Sequence, residues 1–205
     1  MRNGKPVGPM KGYSCQIVVS DAINWLETKA SPDQPFFMNI WFNEPHSKLA
    51  APDEITSIYG DLKDEGALYS ATVDNTDRAI GRLVAKLKET GKLDNTLIIY
   101  SSDHGSYRAD RNGGLKGNKG SNFQGGLRSP GVFFWPDGVR GGRIESTPSG
   151  AVDLLPTICG LAGIDKPKGV HLDGTDLSPL LIEKGRFKRS QPMLWLAPSS
   201  GHLAT

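Results

Sequence analysis

With 205 residues, 37% hydrophobic and 22% charged, the chain can bury one real core and has neither a disordered nor a membrane composition. Its formal net charge of +2 is too small to indicate a nucleic-acid partner, and no apolar run approaches the length of a bilayer span. Cys15 and Cys159 make neither a disulfide framework nor a metal-ligand spacing, so two free thiols in or near the core are expected. The opening "MRNGKPVGPMKGYS" is basic but has no apolar stretch of the kind a secretory leader carries. That pattern fits a cytoplasmic product, or a chain whose natural start lies upstream.

In chain order, "SDAINWLETKA" from Ser20 has helix-start residues, with Ile23 and Leu26 continuing the face of Val19. "PFFMNIWF", 35–42, is a short continuous apolar run and reads as a strand buried on both faces. "YSATVDNTDRAIGRLVAKLKETG" places Ile80, Leu83, Val84 and Leu87 at helix spacing and stops at Gly91. "TLIIYSS", 96–102, and "GVFFWP", 131–136, read as two more buried strands. "VDLLPTICGLAG" reads as a helix with Asp153 near its cap, Pro156 in its first turn and Gly163 past its end. The charge run 183–189 is most simply a solvated connection, and "PMLWLAP", 192–198, a final strand. The alternation of helices and strands predicts an α/β fold, a mostly parallel sheet flanked by helices.

In such sheets ligands bind beyond the carboxyl ends of the strands. Strand 35–42 delivers "NEPHSKLAAP" with His46, and strand 96–102 delivers Asp103-His104-Gly105. Asp103 and His104 offer a hard oxygen and an imidazole nitrogen suited to part of a divalent-cation site, or else a turn cap and a surface histidine. The long loop behind them, 105–130, is basic and glycine-laden. Lys119 sits among its glycines, where an ammonium suits a tetrahedral oxyanion, or is simply a flexible surface lysine. His46 is placed to donate to an oxyanion or protonate a leaving group, with a carbonyl-bonded structural histidine as the alternative. Arg128 reads as a structural ion-pair partner. The spacing matches neither a Walker loop nor a dinucleotide fingerprint.

The order of these motifs resembles the sulfatase family, within the alkaline-phosphatase-like superfamily, over about residues 13 to 182. "PFFMNIWFNEPHSKLAAP" resembles its strand and Pro-His segment. "YSATVDNTDRAIGRLVAKLKETGKLDNTLIIYSSDHG" resembles its long helix, turn and metal-bearing strand. "GNKGSNFQGGLRSPGVFFWP" resembles its Gly-Lys-Gly…Glu-Gly-Gly-x-Arg-x-Pro signature, and "VDLLPTICGLAGI" the helix after it. The resemblance implies that Asp103 and His104 are ligands of a Ca²⁺ or Mg²⁺ ion. It also implies that Lys119 and His46 contact the sulfate ester of a sulfated small molecule or polysaccharide. Families of this kind often work outside the cytoplasm.

Departures from the pattern are equally specific. The family makes its formylglycine nucleophile in a Cys-x-Pro/Ala-x-Arg segment, yet Cys15 is followed by "QIVV" and Cys159 by "GLAG". The Asp pair of the family's first strand and its Lys/His-bearing middle segment are absent. Gln124 stands where the signature has Glu, and Lys48 where Pro is common. The resulting expectation is the C-terminal half of a sulfatase catalytic domain in residues 1–182, with an incomplete subdomain or tail in 183–205. Its partner would be a missing N-terminal half. The expected function is sulfuric-ester hydrolysis, with the chain alone inactive. Two alternatives are a phosphoester or phosphonate-ester hydrolase of the same superfamily, and a non-catalytic fragment or anion-binding pseudo-enzyme.

Overall fold

Residues 2–182, 187–189, 191–197 and 202–204 are described by the computed structural model, in two units, Met1–Leu93 and Asp94–Thr205. The first unit is built from α1 (Ser14–Thr28), α2 (Asp53–Tyr59) and α3 (Glu65–Glu89). Helix α1 buries Cys15, Val19, Ala22 and Leu26, spaced as one helical stripe. It starts six residues before Ser20 because that stripe begins at Cys15; burial outweighs the weak helix propensity of Val18 and Val19. Helix α3 answers with small residues: Ala71, Thr72, Asn75, Thr76 and Ala79 are buried, while Ile80, Leu83 and Val84 are only half-buried. Small side chains let the two helices approach closely. Asp64 caps α3 by accepting from Gly66 N at 2.8 Å, and Gly91 follows its end at φ +67°, where the sequence places the stop.

Polar ties run along the same pair of helices. Gln16 Nε2 donates to Asn75 Oδ1 at 2.9 Å, Arg82 donates to Gln16 Oε1 at 2.7 Å and Ser20 Oγ at 3.1 Å, and Lys86 pairs with Glu27 at 2.9 Å. The partners advance together along both helices, so α1 and α3 run parallel. Short α2, an addition to the elements read from the sequence, packs Ile55 with Ala51 and Ala71 in a second small cluster.

Segment 35–42 corrects a sequence expectation. It makes no ladder, yet its exposure alternates residue by residue: Phe36, Met38, Ile40 and Phe42 turn inward, Phe37 and Trp41 outward. Phe42 packs on the Cys15–Val19–Ala79 cluster, whereas Phe37 is 77% and Trp41 82% exposed. The period of two is that of an extended strand, but burial on both faces, which an unbroken apolar run suggests, is not realised.

In the second unit, β1 (Ile98–Ser101) and β2 (Gly131–Phe134) pair antiparallel, Ile98 opposite Phe134 and Ser101 opposite Gly131. Residues 102–130 are therefore one long hairpin connection, containing α4 (Gln124–Leu127). Tyr100, Val132 and Phe134 are exposed, so these strands too lack burial on both faces. Helix α5 (Leu154–Ala162) buries Pro156, Thr157 and Cys159 and ends at Gly163 in the left-handed region; α6 (Ser178–Leu181) follows. A second ladder pairs β3 (Trp195–Ala197), within the strand expected at 192–198, with β4 (His202–Ala204). Among the described residues both sheets are two-stranded and antiparallel; the parallel pairing expected from helix–strand alternation is not found there, because strands 96–102 and 131–136 pair directly with each other. No helix among the described residues is long and apolar enough to cross a membrane.

Asp153 anchors the C-terminal part of this unit. Fully buried, it accepts from Gly150 N at 2.9 Å and Thr175 N at 2.7 Å, and takes both Arg189 terminal nitrogens at 2.6 and 3.0 Å. Arg189 belongs to the run expected to be a solvated connection, of which residues 183–186 lie outside the described residues. It is instead docked, with its side chain only 16% exposed.

Candidate functional site

The loop 102–130 is tied back on itself by its main chain. Gly105 N donates to Gly126 O at 2.9 Å, Gly125 N to Lys116 O at 2.8 Å, and Lys119 N to Ser106 O at 2.8 Å. Two asparagines complete the knot: Asn112 Nδ2 donates to Leu115 O at 2.8 Å and Gly117 O at 2.6 Å, and Asn118 Nδ2 to Tyr107 O at 2.7 Å. Gly105, Gly125 and Gly126 are buried where a Cβ would overlap backbone carbonyls of the facing strand of loop. The glycines serve close approach of backbone to backbone.

On this scaffold the Lys119 side chain is exposed and makes no hydrogen bond or ion pair among the described residues. Lys116 is held differently, its ammonium 4.1 Å over the Phe123 ring. Arg128 meets Gln124 Oε1 at 3.3 Å, four residues back in the chain. The ion pair expected for Arg128 is replaced by this neutral contact, since Gln124 carries no charge.

Asp103 and His104 stand immediately after β1. The Gly105 carbonyl lies 2.8 Å from His104 Nδ1, which must therefore carry the proton. His104 Nε2 lies 3.1 Å from Asp103 Oδ2, an ion pair when the ring is protonated. A carboxylate and an imidazole side by side at a strand end suit a cation in kind. The pair alone does not suffice in number: a calcium shell takes six to eight oxygens, and no cluster of three or more His, Cys, Asp or Glu ligands occurs among the described residues. Asp103 offers a carboxylate oxygen and His104 an imidazole nitrogen.

His46 belongs to the first unit, in a turn closed by its own amide donating to Asn43 O at 3.0 Å. The His46 side chain is exposed, and its Nδ1 donates to Ser47 O at 3.1 Å. The preceding Glu44 ties this turn to α1: its Oε1 accepts from Ser14 Oγ at 2.5 Å and Cys15 N at 2.9 Å. Burial pushes the Glu44 carboxyl upward, but these donors outweigh it and hold the group below its ordinary range. Cys15 is fully buried and, like Cys159, unpaired, as expected. Burial first, and Glu44 next, push its thiol up, away from the thiolate a nucleophile needs.

The family model described as Sulfatase matches residues 2–164. This chain belongs to the sulfatase family. The uncharacterized sulfatase YdeN of Escherichia coli (strain K12) is 30% identical over 197 residues, covering 94% of this chain and 35% of that protein. Arylsulfatase A of Homo sapiens is 33% identical over 172 residues, covering 82% and 32%. The crystal structure of Ps i-CgsB in complex with k-i-k-neocarrahexaose superposes with TM-score 0.79 at 36% identity, covering 86% of this chain and 40% of that one. The fold is thus that of the sulfatases, alkaline-phosphatase-like, and the chain spans about a third of the length of these curated relatives.

Sequence reasoning identifies the sulfatase signature but misses what holds it. Asn112 and Asn118 carry no apolar period; their only signal is asparagine within a glycine-rich stretch, where side chains bond to nearby backbone.

Proposed function

We propose that this chain carries the sulfate-handling half of a sulfuric ester hydrolase. Lys119 and His46 are the catalytic and substrate-binding residues; Asp103 and His104 are two ligands of a Ca²⁺ or Mg²⁺ ion. In a whole enzyme that supplies the nucleophile attacking sulfur, the Lys119 ammonium would neutralise charge on the sulfuryl oxygens and a protonated His46 would give its Nε2 proton to the departing ester oxygen as the S–O bond breaks. The metal, when bound, supplies further charge neutralisation on the sulfuryl group. The family match over 2–164, with Lys119 free on a tied loop, carries the reading.

The family's nucleophile motif is not in this sequence, and buried Cys15 is no substitute. The 205-residue chain therefore handles the anion without turning it over. The substrate is a sulfated small molecule or polysaccharide; the neocarrahexaose complex of Ps i-CgsB supports the latter class. The mostly parallel sheet is proposed for the whole catalytic domain, to which residues 1–182 belong, with 183–205 starting a further subdomain.

The test pairs an aryl sulfate assay with a titration of inorganic sulfate against the isolated chain. No turnover is expected, with sulfate binding lost in Lys119→Ala. Turnover abolished by Lys119→Ala would refute the inactive half, and sulfate binding untouched by that variant would refute the role of Lys119. Tighter binding of phosphate than of sulfate would favour the phosphoester alternative.

A further inference from the structure

Lys119 stands at the second position of a tight turn. Ser121 N donates to Asn118 O at 3.0 Å, and Gly120 takes φ +87°, so residues 118–121 form a β-turn whose third residue is left-handed. The Ser121 hydroxyl closes the turn a second time, donating to Asn118 O at 2.8 Å and accepting from Asn118 N at 3.2 Å. Two further bonds tie the turn to one stretch of chain. Asn118 Nδ2 donates to Tyr107 O at 2.7 Å, and Lys119 N donates to Ser106 O at 2.8 Å.

We infer that Asn118 is the positioning residue for Lys119: its carboxamide fixes the turn on segment 106–107 and so fixes where the ammonium stands. The inference rests on the sulfate-handling reading above and deepens it.

Three observations carry it. A single bond from the Lys119 amide would leave the turn free to swing about that bond. A second bond, from the neighbouring residue to the neighbouring carbonyl, removes the swing. The turn is also held from its other side, because a Cβ on Gly126 would overlap the carbonyls of Asn118 and Ser121. Asn118 is itself exposed, so its bond serves placement and not the filling of a core.

The second observation is where the turn is tied. Ser106 follows Asp103-His104-Gly105 directly, and three residues of chain span at most about 11 Å. One short segment therefore carries the Asp103–His104 pair and holds the lysine turn. The third is the chemistry of the tie. A carboxamide donating to a carbonyl is uncharged on both sides, so it leaves the ammonium without an internal counter-ion. An aspartate at 118 would lack the donor and place a negative charge one residue from Lys119.

The experiment titrates inorganic sulfate into the 205-residue protein and its Asn118→Ala, Asn118→Asp and Lys119→Ala variants, and follows amide hydrogen exchange in each. Asn118→Ala should weaken sulfate about tenfold, close to the most that one neutral hydrogen bond contributes. It should also speed exchange of the Lys119 amide while the Gly105 and Gly125 amides, bonded elsewhere in the loop, stay as protected as in wild type. Asn118→Asp should bind sulfate more weakly still. Unchanged sulfate affinity in Asn118→Ala, or an aspartate variant that binds like wild type, overturns the positioning role. So does a loss of affinity that comes with lost protection at Gly105 and Gly125, which would mean that the carboxamide only keeps the loop folded. Sulfate binding that is absent in wild type or untouched in Lys119→Ala refutes the parent reading, and the Lys119 exchange rate in Asn118→Ala then still decides whether Asn118 holds the turn.

Discussion

The backbone amide of Lys119 donates to the carbonyl of Ser106 at 2.8 Å. The lysine is therefore placed by main chain, and its ammonium makes no hydrogen bond or ion pair among the described residues. A loop of this length is usually functional or disordered; here, bonds from Asn112 and Asn118 and the glycine contacts fold it.

Gly126 tests that scaffold. A Cβ there would overlap the carbonyls of Asn118 and Ser121, and the Gly126 carbonyl also receives the Gly105 amide. Gly126→Ala should cost about 1–3 kcal/mol, the range for overpacking, and remove Lys119-dependent sulfate binding. Gly131→Ala is the control, because nothing lies within 4 Å of its Cβ position. Equal melting temperatures for the two variants would show that the close approach is not needed.

The thiols give a second prediction. Cys15 and Cys159 are 0% and 3% exposed, and burial raises the Cys15 thiol. Neither should react with a disulfide reagent in the native protein, and both should react on unfolding. Rapid native labelling of Cys15 would contradict its buried placement and reopen it as a nucleophile.

Much of this fold is legible in the sequence, and the exceptions share a cause. Helix α3 is readable because its period and Gly91 stop are local, and the strands at 98–101 and 131–134 because their apolar runs are bounded. What the runs cannot state is the partner. Residues 35–42 have a strand's alternation without a ladder, and the two readable strands pair with each other in place of parallel neighbours. Asp103, His104, Lys119 and His46 stand out by residue type beside glycine or proline. Asn112, Asn118 and the Asp153–Arg189 pair, 36 residues apart, do not, because tertiary contact alone gives them meaning.

The outward face of 35–42 yields a third prediction. Phe37 and Trp41 are exposed and the segment is extended, a combination that invites association between chains. The double variant Phe37→Lys, Trp41→Lys should shift stability by no more than about 0.5 kcal/mol, as for surface positions, and should raise the concentration at which the isolated chain stays monomeric. A large loss of stability would mean that these rings pack inside the unit after all.

Asp153 yields a prediction in pH. Burial alone would raise its carboxyl, but Arg189 and the amides of Thr175 and Gly150 outweigh burial and hold it below the ordinary carboxylate range. A folded-state value below the unfolded one means that the unfolded chain binds more protons in acid. The stabilisation is thus complete above the unfolded value of about 3.9 and disappears as pH falls through the lower, folded value. At pH 7, Asp153→Asn should cost about 3 kcal/mol, as when one partner of a buried pair is removed. Arg189→Ala should cost less, since two backbone amides still serve the carboxylate. Denaturant melts from pH 7 down to about 2 check the sign. The gap between wild type and Asp153→Asn should close from pH 4 downward, and a gap independent of pH would show that the carboxylate is not ionised in the folded protein.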